Sequence, residues 1–246
     1  VRDIPSEISE RLGVCGSSVC ERVGFWSSFF LGRPYLVSPL GDSDDETRLR
    51  FDSFDCMTFV ETVLALSFSQ KPNEIIENLD RIRYRGGKPD FHSRNHFVSA
   101  DWIPANIDFL SPMNEFADSV VSKEIDRIAF FERSGKPIPK NYPVDKNEKI
   151  ELKYISKIKA KEVTGRISDC AIVLFVGGVE WTIISHIGIL SKHFGKGVFR
   201  HASSRNGFVV EEVLDEYIGS RPNLDGVAFL KIKDLRAETN RFENPC

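Results

Sequence analysis

This 246-residue chain is expected to fold as an α+β protein, on three observations. Its apolar periodicity is helical up to about Glu132 and strand-like from about Glu151. A stretch rich in Pro, Lys and Asn, Ser134–Asn147, divides the two textures and reads as an exposed connection. Helices grouped first and short strands grouped afterwards point to α+β, not to alternating α/β. Hydrophobic residues make up 41% and charged residues 28%, an ordinary globular composition that rules out wholesale disorder.

Taken in order, Ser6–Leu12 is a short polar segment of helical character, stopped by Gly13 and Gly16. Gly24–Leu31 (GFWSSFFL) is aromatic-rich and reads as buried, and Gly32-Arg33-Pro34-Tyr35 breaks it. Ser38–Asp45 has loop composition. Cys56–Ser69 is the clearest helix. Phe59, Val60, Val63, Leu64 and Leu66 give it an apolar face wider than one stripe, as in a helix sunk into a core. Asp52, Ser53 and Asp55 crowd its start, where small polar and acidic residues favour helix N-termini. Ile75, Ile76, Leu79 and Ile82 predict a second helix over Pro72–Tyr84, ended by Gly86-Gly87. Phe116, Val120, Ile125, Ile128 and Phe131 predict a third, from about Met113 to Glu132. Short β-branched and aromatic runs then predict strands at Glu151–Ile158, Cys170–Val176, Trp181–Leu190, Gly197–Ala202, Phe208–Val210 and Val227–Ile232.

Charge excludes some functions. Lys plus Arg is 33 against 36 for Asp plus Glu, a net charge of −3, without the basic surplus of a nucleic-acid binder. The longest purely apolar run, Ala171–Val176, is far short of a membrane span. The cysteines are odd in number: Cys15, Cys20, Cys56, Cys170 and Cys246. In an oxidising compartment four could pair and leave one free, and reduced, buried thiols are the other reading. The chain starts at Val1, which fits a removed signal peptide or a trimmed terminus.

Cys56 leads the candidates for chemistry. A helix N-terminus presents unpaired N–H groups and a dipole that favour a thiolate and can face an oxyanion. A nucleophilic thiol also needs a base, and the base an orienting partner. His186, in Ile184-Ser185-His186-Ile187-Gly188, and His201, in Phe199-Arg200-His201-Ala202-Ser203, lie on successive strands. A hairpin could bring them onto one sheet face. These residues alone leave open a structural cysteine and two satisfied core histidines.

The ordered set Leu31-Gly32-Arg33-Pro34-Tyr35, Phe54-Asp55-Cys56-Met57-Thr58-Phe59-Val60-Glu61, Ser185-His186-Ile187-Gly188-Ile189 and His201-Ala202-Ser203 resembles the NlpC-type cell-wall hydrolases, which are papain-like cysteine enzymes. It is most similar to their N-acetylmuramoyl-L-alanine amidase-like branch, in which an R-x-H-F … DW segment follows the cysteine motif. Here that segment is Arg94-Asn95-His96-Phe97 and Asp101-Trp102. The resemblance spans roughly Phe30 to Ile232. It implies a single papain-like domain over residues 1–246, with the nucleophile-bearing helix packed on an antiparallel sheet. It also implies Cys56 as nucleophile, His186 as general base and His201 as its orienting residue. Tyr35 is placed near the oxyanion and Asp55 in shaping a substrate subsite. No metal or cofactor is implied. The sequence departs from the family in carrying Ser168-Asp169-Cys170 where relatives have GDI, and in the long separation of Cys56 from His186. A largely helical insertion at about 70–148 would fill that separation and wall the cleft.

Arg94, His96, Asp101 and Trp102 are the insertion's best-placed binding residues. Arg suits the carboxylates of a peptidoglycan stem, and Trp can stack on a sugar or peptide face. They equally suit a loop held by an Arg–Asp pair with Trp as its core anchor. His92 and His96 are spaced i, i+4 without a third ligand nearby, so zinc is not expected. Lys149–Lys161 reads as a solvated strand edge. The expected function is therefore hydrolysis of a peptidoglycan amide, foremost the N-acetylmuramoyl–L-alanine bond, in the periplasm or outside a bacterial cell. Alternatives are a γ-D-glutamyl–diamino acid endopeptidase, a non-catalytic peptidoglycan-binding domain and an acyltransferase on the same fold.

Overall fold

The structure is a computed structural model that describes residues 4–40, 48–134, 148–167, 170–193 and 196–236. Its frame is one sheet. The strands are β1 (Leu110–Pro112), β2 (Ser119–Glu124), β3 (Lys149–Ser156), β4 (Cys170–Gly177), β5 (Ile184–His193), β6 (Lys196–Ser203), β7 (Phe208–Val213) and β8 (Leu224–Ile232). They run in the order β2-β3-β8-β4-β5-β6-β7, with β1 also on β8. Every pairing is antiparallel. The helices are α1 (Ser6–Ser9), α2 (Val19–Phe29), α3 (Cys56–Phe68), α4 (Glu74–Arg83), α5 (Ile103–Ala105), α6 (Arg127–Ser134), α7 (Lys157–Val163) and α8 (Leu214–Gly219). The α+β class and the antiparallel sheet agree with the sequence.

The wide apolar face of α3 has a direct consequence. From Thr58 to Phe68 every residue is buried, between α2, α4 and the strands β5 and β6. Phe30, Phe54 and Phe59 join this core through edge-to-face ring contacts, and Trp26 is buried in it. At roughly 1.5–3 kcal/mol for each large apolar side chain buried, this helix is among the best-anchored elements of the fold. Alternate residues of β4 and β5 face a second core on the other side of the sheet, where Phe175, Leu190 and Phe199 meet α7 and α8. Gly188 lets β5 and β6 come together. A Cβ there would lie 2.1 Å from the Phe199 ring and 2.7 Å from the Arg200 carbonyl.

The expected helix over Met113–Glu132 is corrected. Those residues form a 3-10 turn at Asn114–Phe116, then β2, then α6. The helical spacing spans two elements, and the β-branched pair Val120-Val121 belongs to a strand whose burial alternates along its length against β3. The segment 70–148 therefore contributes strands to the sheet as well as helices. Lys149–Lys161 is likewise not an edge, because β2 covers β3 and the chain turns into α7 at Lys157. Beyond Ser134 the predicted connection to Asn147 lies outside the described residues, as do Ser168-Asp169, Cys246 and the end of the Ser38–Asp45 loop.

The unusual thiol at the start of β4 has a partner: Cys20 on α2 is bonded to Cys170 across 150 positions of sequence. Cys15 and Cys56 are free. Among the described residues no helix is long and apolar enough to cross a membrane.

Candidate active site

Cys56 is the first residue of α3, and the preceding Asp55 closes that helix with a capping box. Asp55 Oδ1 accepts from Thr58 N–H and from Thr58 Oγ1, each at 2.8 Å, and Thr58 Oγ1 accepts from Asp55 N–H at 3.0 Å. Satisfying these donors within residues 55–58 fixes where the thiol stands. The pairing of β5 with β6 begins only at Ile189, which leaves the Ile187 N–H for the Cys56 sulfur. The thiol thus abuts β5 one residue from His186. No hydrogen bond joins Cys56 to His186 in this structure; the imidazole is engaged elsewhere.

His186 Nε2 lies 2.7 Å from His201 Nδ1, and His201 Nε2 lies 2.7 Å from Glu212 Oε2. A carboxylate can only accept, so His201 carries its proton on Nε2 and accepts at Nδ1. His186 must then donate from Nε2, which leaves its Nδ1 lone pair unprotonated. The relay assigns both tautomers. Phe175 and Phe199 pack against His186, and Tyr217 stacks on it at 6.2 Å. Burial, the proximity of His201 and the Arg221 charge pull His186 down to about 3. Burial and Arg221 pull His201 down to about 4. Both imidazoles are therefore neutral near pH 7, and the contact of His201 with Glu212 is a hydrogen bond between a neutral ring and a carboxylate.

The Cys56 thiol is pushed up to about 12, first by burial and next by the Asp55 carboxylate. The N–H groups of Ile187, Met57 and Cys56 act in the opposite direction and do not prevail. A helix N-terminus alone favours a thiolate, but here burial and an adjacent anion outweigh it. Asp55→Asn keeps the cap and removes the charge. It is expected to lower the thiol pKa and so speed alkylation of Cys56 by iodoacetamide at pH 8. An unchanged rate in a stopped assay of carbamidomethyl-Cys56 would remove Asp55 as a cause.

Tyr35 is held beside this thiol by main-chain bonds. Its N–H donates to the Gly207 carbonyl at 2.8 Å, and it bridges Phe54. Burial, then Cys56 and Asp55, raise its hydroxyl to about 12, so it stays protonated and able to donate. Asp55, Arg94 and His96 line one pocket of about 140 Å³. There His96 Nε2 lies 2.9 Å from the Phe91 carbonyl. Asp101 and Trp102 lie elsewhere, inside the protein. Asp101 accepts from Phe97 N–H and makes a two-pronged pair with Arg127 at 2.7 and 3.0 Å. Trp102 is fully buried. Among the described residues no group of three His, Cys, Asp or Glu side chains could hold a metal ion.

Glu212, Tyr217 and Arg221 carry no motif and are not foreseen in the sequence. Glu212 had one usable signal. In the β6–β7 hairpin His201 pairs with Val210, so Glu212 shares its sheet face one diagonal step away. Arg221 follows α8, and only the return of the chain into β8 brings it to the histidines.

An α+β fold with a thiol at a helix start and an imidazole–imidazole–carboxylate relay on the adjoining strands defines the site. The chain belongs to the AmiA-like family, described as N-acetylmuramoyl-L-alanine amidase-like, whose pattern matches residues 25–227. Among solved structures it is similar to an N-acetylmuramoyl-L-alanine amidase from Bacteroides uniformis ATCC 8492, with 23% identity and a TM-score of 0.75, covering 89% of this chain and 100% of that one. It is also similar to protein LPG0564 from Legionella pneumophila str. Philadelphia 1, with 22% identity and a TM-score of 0.79, covering 92% and 93%. A third likeness is to a Bacteroides fragilis protein proposed to be a xylanase, with 26% identity and a TM-score of 0.74, covering 84% and 99%. No curated protein matches the chain.

Proposed function

We propose that this protein is a cysteine-dependent peptidoglycan amide hydrolase of NlpC-type, papain-like design, cleaving the bond between N-acetylmuramic acid and L-alanine. The observation that carries the reading is the Glu212–His201–His186 relay beside Cys56, because it leaves a neutral imidazole with a free Nδ1 lone pair next to a protonated thiol. In this reading the resting pair is neutral and is not a thiolate–imidazolium. As Cys56 Sγ attacks the amide carbon, its proton passes to His186 Nδ1. The short contact this requires is of the kind that tightens when substrate binds. His186 then gives that proton to the leaving nitrogen as the C–N bond breaks, and water releases the acyl group from sulfur. The oxyanion forms beside the first N–H groups of α3 and the Tyr35 hydroxyl.

The amidase-like family membership supports the choice of bond, as does the name of the Bacteroides uniformis neighbour. A xylanase-type reaction needs two carboxylates flanking a sugar ring, and Cys56, His186 and His201 are not such a pair. A periplasmic or extracellular setting is part of the proposal, supported by the Cys20–Cys170 disulfide, since such bonds persist in oxidising compartments.

Digestion of purified muropeptides by wild type and Cys56→Ala, read by mass spectrometry, tests the assignment. Release of intact stem peptide beginning with L-Ala, lost in the variant, is the expected result. Products split between D-Glu and the diamino acid would reassign the enzyme as an endopeptidase. Cleavage that survives in Cys56→Ala would sink the cysteine mechanism.

A further inference from the structure

Two pockets, one lined by Asp55 and the other by His186 and His201, differ in charge. On the Asp55 side, the small pocket holds Asp55 and Glu61 together with Arg94. On the histidine side lies a larger pocket of about 350 Å³, walled by His186, His201, Ser203, Arg205, Arg221 and Asn223 among others, with no acidic side chain. No described carboxylate pairs with Arg205 or Arg221, whereas the buried Arg22, Arg83, Arg127 and Arg200 all have acidic partners. Arg221 is nevertheless built in. Its guanidinium lies 4.4 Å over the Tyr217 ring, its main-chain carbonyl accepts from Lys157 Nζ, and its Nε is buried without an acceptor. Tyr217 in turn stacks on His186. A fixed, unneutralised guanidinium is thus held one ring away from the proposed base.

We propose that this pocket is the leaving-group subsite and that Arg221 there binds a free carboxylate of the departing peptide, namely the α-carboxylate of the γ-linked D-glutamate that follows L-alanine. The inference rests on the proposed amidase reading, in which the leaving amine departs on the His186 side. A guanidinium recognises a carboxylate through paired N–H donors, and it distinguishes that group from the neutral amide of D-isoglutamine, which lacks the charge. Filling the pocket with an anion also offsets the Arg221 charge, which adds to burial in keeping both imidazoles neutral, and so favours protonation of His186 as the reaction needs it.

The test is calorimetric binding, on the Cys56→Ala protein, of N-acetylmuramoyl-L-Ala-D-Glu and its D-isoglutamine amide. With Arg221 present the acid is expected to bind about tenfold tighter or more. Arg221→Met should bring the two within about twofold, and Arg221→Lys, which keeps the charge but not the fork, should retain part of the preference. Equal affinities in the Arg221 protein, binding of neither compound, or a preference that persists in a folded Arg221→Met protein would overturn the subsite. Cleavage of the two compounds by the wild type is followed separately. Discrimination in binding without any cleavage would sink the amidase reading and leave the carboxylate subsite standing.

Discussion

Replacing His186 by glutamine is expected to lower kcat/KM for muropeptide cleavage on the order of 10³-fold or more. The size follows from the resting state of the pair. A thiol pushed up to about 12 supplies almost no thiolate near pH 7, so attack depends on a base that takes the proton during the step. In the proposed mechanism that base is His186. Glutamine retains a side-chain hydrogen bond toward His201 and cannot accept a proton. Glu212→Gln probes the same relay from its far end. Its amide can donate to His201 and turn that ring over, which takes the acceptor away from His186 Nε2–H and leaves Nδ1 protonated in part of the population. Glu212→Gln is therefore expected to lower kcat by about 10–100-fold with little change in KM, because Glu212 positions the rings without touching substrate. Glu212→Asp, if the carboxylate still reaches, should recover part of the loss. Steady-state rates of the three variants, with intact folds verified by circular dichroism, decide it. A Glu212→Gln enzyme with wild-type kcat would show that the tautomers are set by something else.

Loss of the Cys20–Cys170 bond is expected to destabilise the protein by about 2–5 kcal/mol. The closed loop is long, 150 positions, and chain-entropy arguments assign greater stabilisation to longer loops. The bond also has a mechanical position. It fastens α2, which packs along α3, to the start of β4, which pairs with both β5 and β8. For a chain of this size the change corresponds to a fall in Tm of roughly 5–15 °C. Cys20→Ala/Cys170→Ala and reductant-treated wild type should shift alike, whereas Cys15→Ser should shift little. Alkylation followed by mass mapping should label Cys15 but neither Cys20 nor Cys170 until a reductant is added. Labelling of Cys20 and Cys170 in unreduced protein, or equal melting with and without reductant, would dismiss the bond as a stabilising element.

Several features were legible in the amino acids alone because their causes are local. The wide apolar face of Phe59, Val60, Val63, Leu64 and Leu66 predicts a helix sunk into a core, and α3 is one. Acidic and small residues at 52–55 predict its start, and Asp55 is its cap. Five of the six predicted strand segments differ from β4–β8 only at their ends, and the sixth from β3 by two residues, because period-two patterns and turn residues act over a few positions. The pairing of His186 with His201 follows from a short hairpin and needed no long-range knowledge.

What depended on distant parts of the chain was not legible. Val120-Val121 joined a strand because β3 lay ready to pair with it, and that partner is some thirty positions away in the sequence. Asp101 found Arg127, and Trp102 was drawn into the core, so a motif that suits ligand binding equally well served the interior. The ionisation of Cys56 was decided by burial, which a helix N-terminus does not reveal. Cys20 and Cys170 chose each other from five thiols because α2 crosses the start of β4. Arg221 reaches the histidines only through the return of the chain from α8 into β8, unlike Glu212, which the β6–β7 hairpin brings to His201. Local sequence decides which element forms and which face is apolar. Which charges and thiols end up side by side is decided only when those faces are packed, because burial and electrostatic neighbours are properties of the assembled fold.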